Sequence, residues 1–368
     1  MSTPSDVWLV DVPDRVSSDR LAHAARAAFD AATLARTVRG LCMIKSHFGE
    51  EGGTGFVPPD VIRAVVERVR DAGGRPFLTD TTTLYAGRRA NAVDHAMLVH
   101  EHGFTIEATG APFLPVDGLV GANETEVGIG GVHHETVAIA ADAVRAGSAV
   151  VVTHVTGHLV AGLGATVKNV GMGLSSRRGK LRQHSAMRPE VAEAACIGCG
   201  ECLPNCPTGA IALATAPAKG KAKGEREVAR IDRAVCSGCG ECLASCRQDA
   251  VRYDWKVDSK RLQEAMAEHA LGFAKRMAGR VGYLTVAATI TKVCDCLGKK
   301  ARPICPDVGV LAGLDPVAID QAALDLVRER AGRTLESMSY PKLDGGLQLA
   351  HAERIGLGSR AYRLRRVE

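Results

Sequence analysis

The stretch from Cys196 to Cys246 constrains this chain more than any other. It reads C-I-G-C-G-E-C-L-P-N-C-P and then, after a spacer, C-S-G-C-G-E-C-L-A-S-C-R. In each half the cysteines stand at i, i+3, i+6 and i+10. A cubane iron–sulfur cluster needs four thiolates at its corners, and a tight loop can supply three of them. Gly198, Gly200, Gly238 and Gly240 let such a loop curl close to the inorganic sulfides. A zinc ribbon would use separated C-x2-C pairs and need only four ligands. Disulfides belong to oxidising compartments. Eight cysteines in two C-x2-C-x2-C-x3-C runs fit two clusters better than either alternative.

From about Arg188 to Val257 the sequence resembles the two-cluster bacterial ferredoxins. In such runs the fourth cysteine reaches the other cluster. The ligand sets are then Cys196, Cys199, Cys202 and Cys246 for one [4Fe-4S] cluster, and Cys236, Cys239, Cys242 and Cys206 for the second. Pro207 follows the first run as in that family, whereas Arg247 stands where a second proline belongs. The resemblance implies single-electron transfer at low potential. The two halves are an internal repeat, predicted as paired strands with two short helices. Lys219 to Arg230 between them is a charged, exposed hairpin.

The rest of the 368-residue chain is long enough for two or three domains, and 46% of it is apolar. Aromatic residues make up only 4%, which argues against a base-stacking nucleic-acid binder. A net charge of +5 is mild and predicts neither a nucleic-acid nor a membrane patch. The start, M-S-T-P-S-D-V-W, has no basic or apolar leader region. Twelve cysteines without a leader predict metal ligation in a reducing cytoplasm.

Before the cysteine runs the pattern alternates strands with helices. Asp19 to Ala32 and Pro58 to Gly73 read as amphipathic helices, and Gly40 to Ile44 and Arg75 to Thr79 as strands. Further strands are expected within Gly103–Pro115, Val132–Ala140 and Ala149–Val152, with a short helix over Ala140–Ala146. Cys42 reads as a core residue. After the runs, Asp258 to Ala278 is a helix, Gly282–Ile290 and Val308–Ala312 are strands, and Asp315 opens a helix to Arg330. Strand–helix–strand spacing predicts a parallel α/β sheet, whose ligands bind at the carboxyl ends of strands.

Polar residues gather at those ends. Lys45, His47 and Glu50 follow one strand, and Asp80 with Thr81 to Thr83 follows the next. His154 and His158 follow a third, and Cys294 and Cys296 a fourth. Residues 161 to 185 are rich in glycine and basic residues, with Lys168, Asn169, Arg177, Lys180 and His184. Exposed backbone N–H groups and cations suit a phosphate, a carboxylate or an anionic cofactor, although no P-loop is present. His133 and His134 are adjacent, and neighbours on a strand face opposite ways, which disfavours a metal pair.

Outside the cysteine runs the chain resembles the family known as domain of unknown function 362. The matching residues are K-S-H-F-G-E-E-G (45–52), T-D-T-T-T-L-Y-A-G-R (79–88), A-V-D-H (92–95), T-H-V-T-G-H (153–158), G-A-T-V-K-N-V-G-M-G (164–173), Q-H-S (183–185), C-D-C (294–296) and D-P-V-A-I-D (315–320). The resemblance runs from about Val10 to Arg330 and implies one α/β body with the ferredoxin inserted. The expected architecture is therefore α/β, a mostly parallel sheet with flanking helices, over residues 1–187 and 258–368, interrupted by a small α+β domain at 188–257.

The leading functional reading is an iron–sulfur oxidoreductase. Its clusters relay electrons to a small anionic substrate or a third metal site in the body. His47, His154, His158 and Lys168 are the candidate catalytic residues, and Lys45, Asp80, Asn169, Arg177 and Lys180 the candidate substrate ligands. Cys294, Cys296 and Cys305 are candidate ligands of the third metal. One alternative is a ferredoxin-type carrier that docks on a redox partner protein. Another is a cysteine-dependent metal- or sulfur-handling protein.

Overall fold

The computed structural model describes residues 4–85, 87–184, 189–206, 208–217, 224–236, 241–248, 250–252 and 258–367. Seven strands form its central sheet. In spatial order they are Tyr362–Arg366, Ser5–Asp11, Gly309–Gly313, Val281–Ala287, Ser148–His154, Leu41–Lys45 and Arg75–Thr79. Four of the neighbouring pairs are parallel, and only Gly309–Gly313 runs antiparallel to both its neighbours. The fold is thus α/β with a mainly parallel sheet. Its strands come from both sides of the cysteine runs.

Alternation along the central strands builds two cores. Ala149 and Val151 enter one core, which also holds Met43, Tyr283 and Leu311. Val150 and Val152 enter the other, with Cys42, Ile44, Leu284 and Val310. Successive strand side chains point to opposite faces, so a strand buried on both sides reads as the unbroken apolar run Ala-Val-Val-Val. The Ser18–Ala31 and Pro59–Asp71 helices cover the second face through Ala25, Phe29, Ile62 and Val66. The Ser259–Arg276 and Pro316–Ala331 helices contribute Ala267, Phe273, Ile319 and Val327 to the first. Asp315 caps the latter by accepting the Val317 and Ala318 N–H groups at 2.9 and 3.1 Å.

Two expectations change. Gly103–Pro115 holds a short helix, Ile106–Thr109, and only an isolated bridge from Phe113 to Leu78. The segment is too short between its turns to run the length of the sheet. The strand foreseen from Val132 begins at Thr136, because His133 and His134 are drawn into a turn by Glu268, which accepts the Val132 and His133 N–H groups. In the basic stretch, Gly162–Gly164 is a strand, and Thr166–Gly171 and Arg177–His184 are helices. The tail after Arg330 adds two helices and the edge strand Tyr362–Arg366. Arg363 and Arg365 pair with Asp6, and Arg366 with Asp11, placing charge along that edge.

Between residues 189 and 252 the chain leaves the body. Glu190–Val191 pairs antiparallel with Val251–Arg252, and Ile211–Pro217 with Glu225–Ile231. The helix Glu241–Ser245 carries Cys242. Cys196, Cys202 and Cys242 share a small core with Ile211, Ala216 and Val228. The tip of the charged hairpin, Pro207 and Cys239 lie outside the described residues.

Candidate functional site

Four of the strands deliver polar side chains to one edge of the sheet, where they line a cavity of about 430 Å³. Lys45 and His47 come from the end of Leu41–Lys45, and Asp80 and Thr81 from the end of Arg75–Thr79. His154 ends Ser148–His154, and Cys294, Asp295 and Cys296 follow Val281–Ala287. His158, Lys168, Asn169 and Lys180 come from the strand and helices that fold back over that edge. Leu84, Leu159, Val160, Met172, Leu262 and Met266 supply the apolar wall.

One wall is a charge network. Lys45 is 1% exposed, and its Nζ lies 3.1 Å from Asp80 Oδ1 and 2.7 Å from Asn169 Oδ1. Burial alone would raise the Asp80 pKa, but Lys45 and Arg89 hold it well below the usual carboxylate range. Arg89 also meets His47 Nε2, and its Nε lies 3.4 Å from Glu50. Tyr85 donates to Glu50 at 3.1 Å. Burial and the neighbouring Arg89 guanidinium push the His47 pKa well down, so its imidazole is neutral. Gly173 makes room for the network, because a Cβ there would stand 2.6 Å from Lys45 Nζ.

Lys180 is a buried cation whose charge the nearby Asp117 and Asp80 carboxylates favour. Its Nζ donates to Thr81 Oγ1 and, at 2.8 Å, to the Ser175 carbonyl. Burial lowers its pKa to about 8. Across the cavity His154 presents Nδ1 to both Asp295 oxygens at 3.1 Å and Nε2 to the Ala288 carbonyl at 3.0 Å. Burial opposes the charge on this ring, yet Asp295 prevails and raises its pKa, favouring the imidazolium.

Beside it lies a thiol group. One ligand atom each from His158, Cys294 and Cys296 falls within 4.8 Å of the others, close enough for one metal ion. Lys168 Nζ is 3.3 Å from Cys294 Sγ, and the Cys296 N–H is 3.5 Å from the same sulfur. The contact with the Cys296 side chain lowers the Cys294 pKa most. Lys168 adds to it against burial, and the value falls to about 5. The thiolate in turn holds Lys168 charged despite its burial. His158 is neutral, since burial and Lys168 both press its pKa down, and its Nδ1 accepts the Ala161 N–H at 3.0 Å.

The structure thus gathers His47, His154, His158, Lys168, Lys45, Asp80, Asn169 and Lys180 around one cavity. Two residues stand elsewhere. Arg177 reaches the Ala90 carbonyl at 3.4 Å and does not line the cavity. Cys305 packs at the margin of the larger core, where burial raises its pKa to about 11, and it does not join Cys294 and Cys296. His133 and His134 belong to a separate cluster, bonded to Glu264 at 2.7 Å and Glu268 at 2.8 Å. Sequence reasoning missed Arg89 and Tyr85 as site residues, as well as the apolar wall. Tyr85 lies within the T-D-T-T-T-L-Y-A-G-R stretch that resembles the family and Arg89 directly follows it, but leucines and methionines of a wall look like core in any sequence.

In the cysteine runs, burial raises the Cys202 pKa most, and the nearby Cys246, Cys196 and Cys199 sulfurs act in the same direction. Backbone N–H groups point at three sulfurs: Ala229 at Cys196 (3.3 Å), Ala210 at Cys206 (3.2 Å) and Ala250 at Cys246 (3.3 Å). Leu243, next to Cys242, packs against Leu84 and Leu181, and Leu84 lines the cavity.

Among known proteins, the family model described as "Domain of unknown function (DUF362)" matches residues 42–325. No curated protein matches the chain. Among solved structures, the lactate racemase apoprotein from Thermoanaerobacterium thermosaccharolyticum is similar, with a TM-score of 0.37 and 12% identity. The match covers 79% of this chain and 53% of that one, so the chain spans about half the length of that relative. Among the described residues no helix is long and apolar enough to cross a membrane.

Proposed function

This chain belongs to the DUF362 family, and we propose that it is an iron–sulfur oxidoreductase in which an inserted two-cluster module feeds electrons to a substrate in the cavity. The observation that carries this reading is the contact of Leu243 with Leu84 and Leu181. It supports the reading because Leu243 sits on the Cys242 helix and Leu84 lines the cavity, and a relay needs such continuity.

The thiols fit the clusters they would hold. Cys202 neighbours the three cysteines of its proposed set, including the distant Cys246. The N–H groups aimed at Cys196, Cys206 and Cys246 are the bonds that stabilise ligated thiolates and tune a cluster's potential. Cys236, Cys242 and Cys206 would hold the second cluster with Cys239. When bound, such clusters supply single electrons at low potential.

The body's own residues do the rest. Lys180 anchors an anionic group, and Leu159, Val160, Met172, Leu262 and Met266 receive an apolar body. His154, whose charged form Asp295 favours, is a proton donor that lines the same cavity as Cys294. The substrate class that suits these walls is a small organic anion with an apolar frame.

The test is anaerobic reconstitution with iron and sulfide, followed by a thermal-shift screen with organic carboxylates. About eight iron and eight sulfide per chain are expected, together with a ligand-dependent rise in Tm. Zinc without sulfide would remove the clusters from the reading. Full clusters with no ligand response, but reduction of a partner protein, would favour the carrier alternative.

A further inference from the structure

We propose that Cys294 and Cys296 are a redox-active dithiol, the two-electron station at which the cavity's chemistry takes place. The inference deepens the proposed function and rests on it for the source of electrons.

Its basis is geometry. The two sulfurs lie within 4.8 Å of each other in the cavity wall. Cys294 opens a turn that the Leu297 N–H closes on the Cys294 carbonyl at 2.9 Å, and a turn of this kind keeps residues i and i+2 within the Cα separations that a disulfide bridges. Cys294 is the nucleophile: Lys168 Nζ at 3.3 Å and the Cys296 N–H at 3.5 Å both complement a thiolate. Cys296 is the resolving thiol, since its side chain already contacts the Cys294 sulfur. Cys305 is not part of this group among the described residues and packs against the larger core instead.

His158 also bears on the choice between dithiol and metal. A histidine that ligates a metal through one nitrogen ordinarily donates from the other. Here Nδ1 accepts the Ala161 N–H at 3.0 Å and the Val160 N–H at 3.3 Å. The ring proton is therefore on Nε2, which makes this histidine a hydrogen-bond donor to a thiolate rather than a free ligand.

The chemistry balances in two halves. The Cys294 thiolate attacks one sulfur of a small disulfide, R–S–S–R, forming a mixed disulfide and releasing one RS⁻, which takes a proton from water. Cys296 then loses its proton and attacks the Cys294 sulfur, closing the Cys294–Cys296 bond and releasing a second RSH. The reverse half takes two electrons, one from each reduced cluster, and one proton. The S–S bond breaks to give the Cys294 thiolate, held by Lys168, and the Cys296 thiol. A module that delivers electrons singly thereby meets a substrate that accepts them in pairs. Lys180 and the apolar wall favour disulfides that carry a carboxylate on an apolar frame.

The experiment uses the cluster-loaded, full-length protein and the aromatic carboxylate disulfide dithiobisnitrobenzoate. After one turnover, free thiols are blocked with N-ethylmaleimide and the peptide holding both cysteines is weighed. The expected result is loss of both adducts together, a mass lower by two hydrogens, and restoration of both adducts by dithionite-reduced clusters. Cys305→Ser should behave like wild type, and Cys296→Ser should stop at the mixed disulfide on Cys294. Retention of both adducts in wild type, or a bridge that includes Cys305, would overturn the proposal. Iron and sulfide analysis of the same sample reads the cluster assignment separately, so the two ideas fail independently.

Discussion

Lys45 and Asp80 join the ends of two neighbouring parallel strands through a buried ion pair, Nζ to Oδ1 3.1 Å. Lys45 pairs in register with Thr79, so the carboxylate one residue further on meets the ammonium at the sheet edge. Removing one partner of such a pair leaves an uncompensated buried charge. Asp80→Ala should therefore cost about 3–5 kcal/mol, read as a lowered urea midpoint. The double variant Lys45→Met, Asp80→Leu should cost clearly less than Asp80→Ala. Equal losses in both would mean that the pair is not what holds this edge.

Lys180 sets a pH dependence. Its folded pKa is about 8 against 10.5 for the free side chain. Between those values the unfolded chain binds more protons than the folded one, so this residue's contribution to stability rises with pH. The burial penalty, about 3 kcal/mol by the shift, is present in full below pH 8. Lys180→Met should flatten that rise in Tm. In wild type, binding of a carboxylate ligand should weaken as pH passes about 8, because the ammonium that pairs with it is lost.

Glu268 works in the opposite sense. Its buried carboxylate accepts the Val132 and His133 N–H groups at 2.6 and 2.8 Å and faces His134 and His351. Burial would raise its pKa, but these donors hold it well below 4.5. The stabilisation is complete above 4.5 and disappears as pH falls towards the folded value. Glu268→Gln should cost about 1–3 kcal/mol near neutrality and leave a Tm less sensitive to acid. An unchanged Tm profile across the acid range would show that the cluster of histidines does not depend on this charge.

Excision of the cysteine module should leave the body folded. Glu190 pairs directly with Arg252, so the two crossing points lie side by side in space. All seven strands of the main sheet lie outside residues 189–252. Joining residues 189 and 253 through a short turn should preserve cooperative unfolding, monitored by circular dichroism. Tm should drop modestly, because Leu84 and Leu181 lose the cover of Leu243. Loss of cooperativity would show that the body folds only around the module.

The sequence by itself determined the local features. Cysteine spacing displays the double ligand pattern, because thiolates around a cluster must recur at fixed steps along one loop. The helices at Ser18–Ala31, Pro59–Asp71, Ser259–Arg276 and Pro316–Ala331 were legible because period and caps are local properties. The edge of the sheet that gathers Lys45, Asp80, His154 and Cys294 was legible too, since parallel strands all end on the same side. Tertiary structure decided which of these residues touch. Only folding brings Lys168 to Cys294, Arg89 to His47 and Leu243 to Leu84, and only folding removes Cys305 and Arg177 from the site. Pairing across such sequence separations depends on how helices pack back over the sheet, and no short-range pattern carries that information. The same holds for the charge states. Lys180 and Cys294 look ordinary in sequence, and burial and neighbours alone set how they hold their protons.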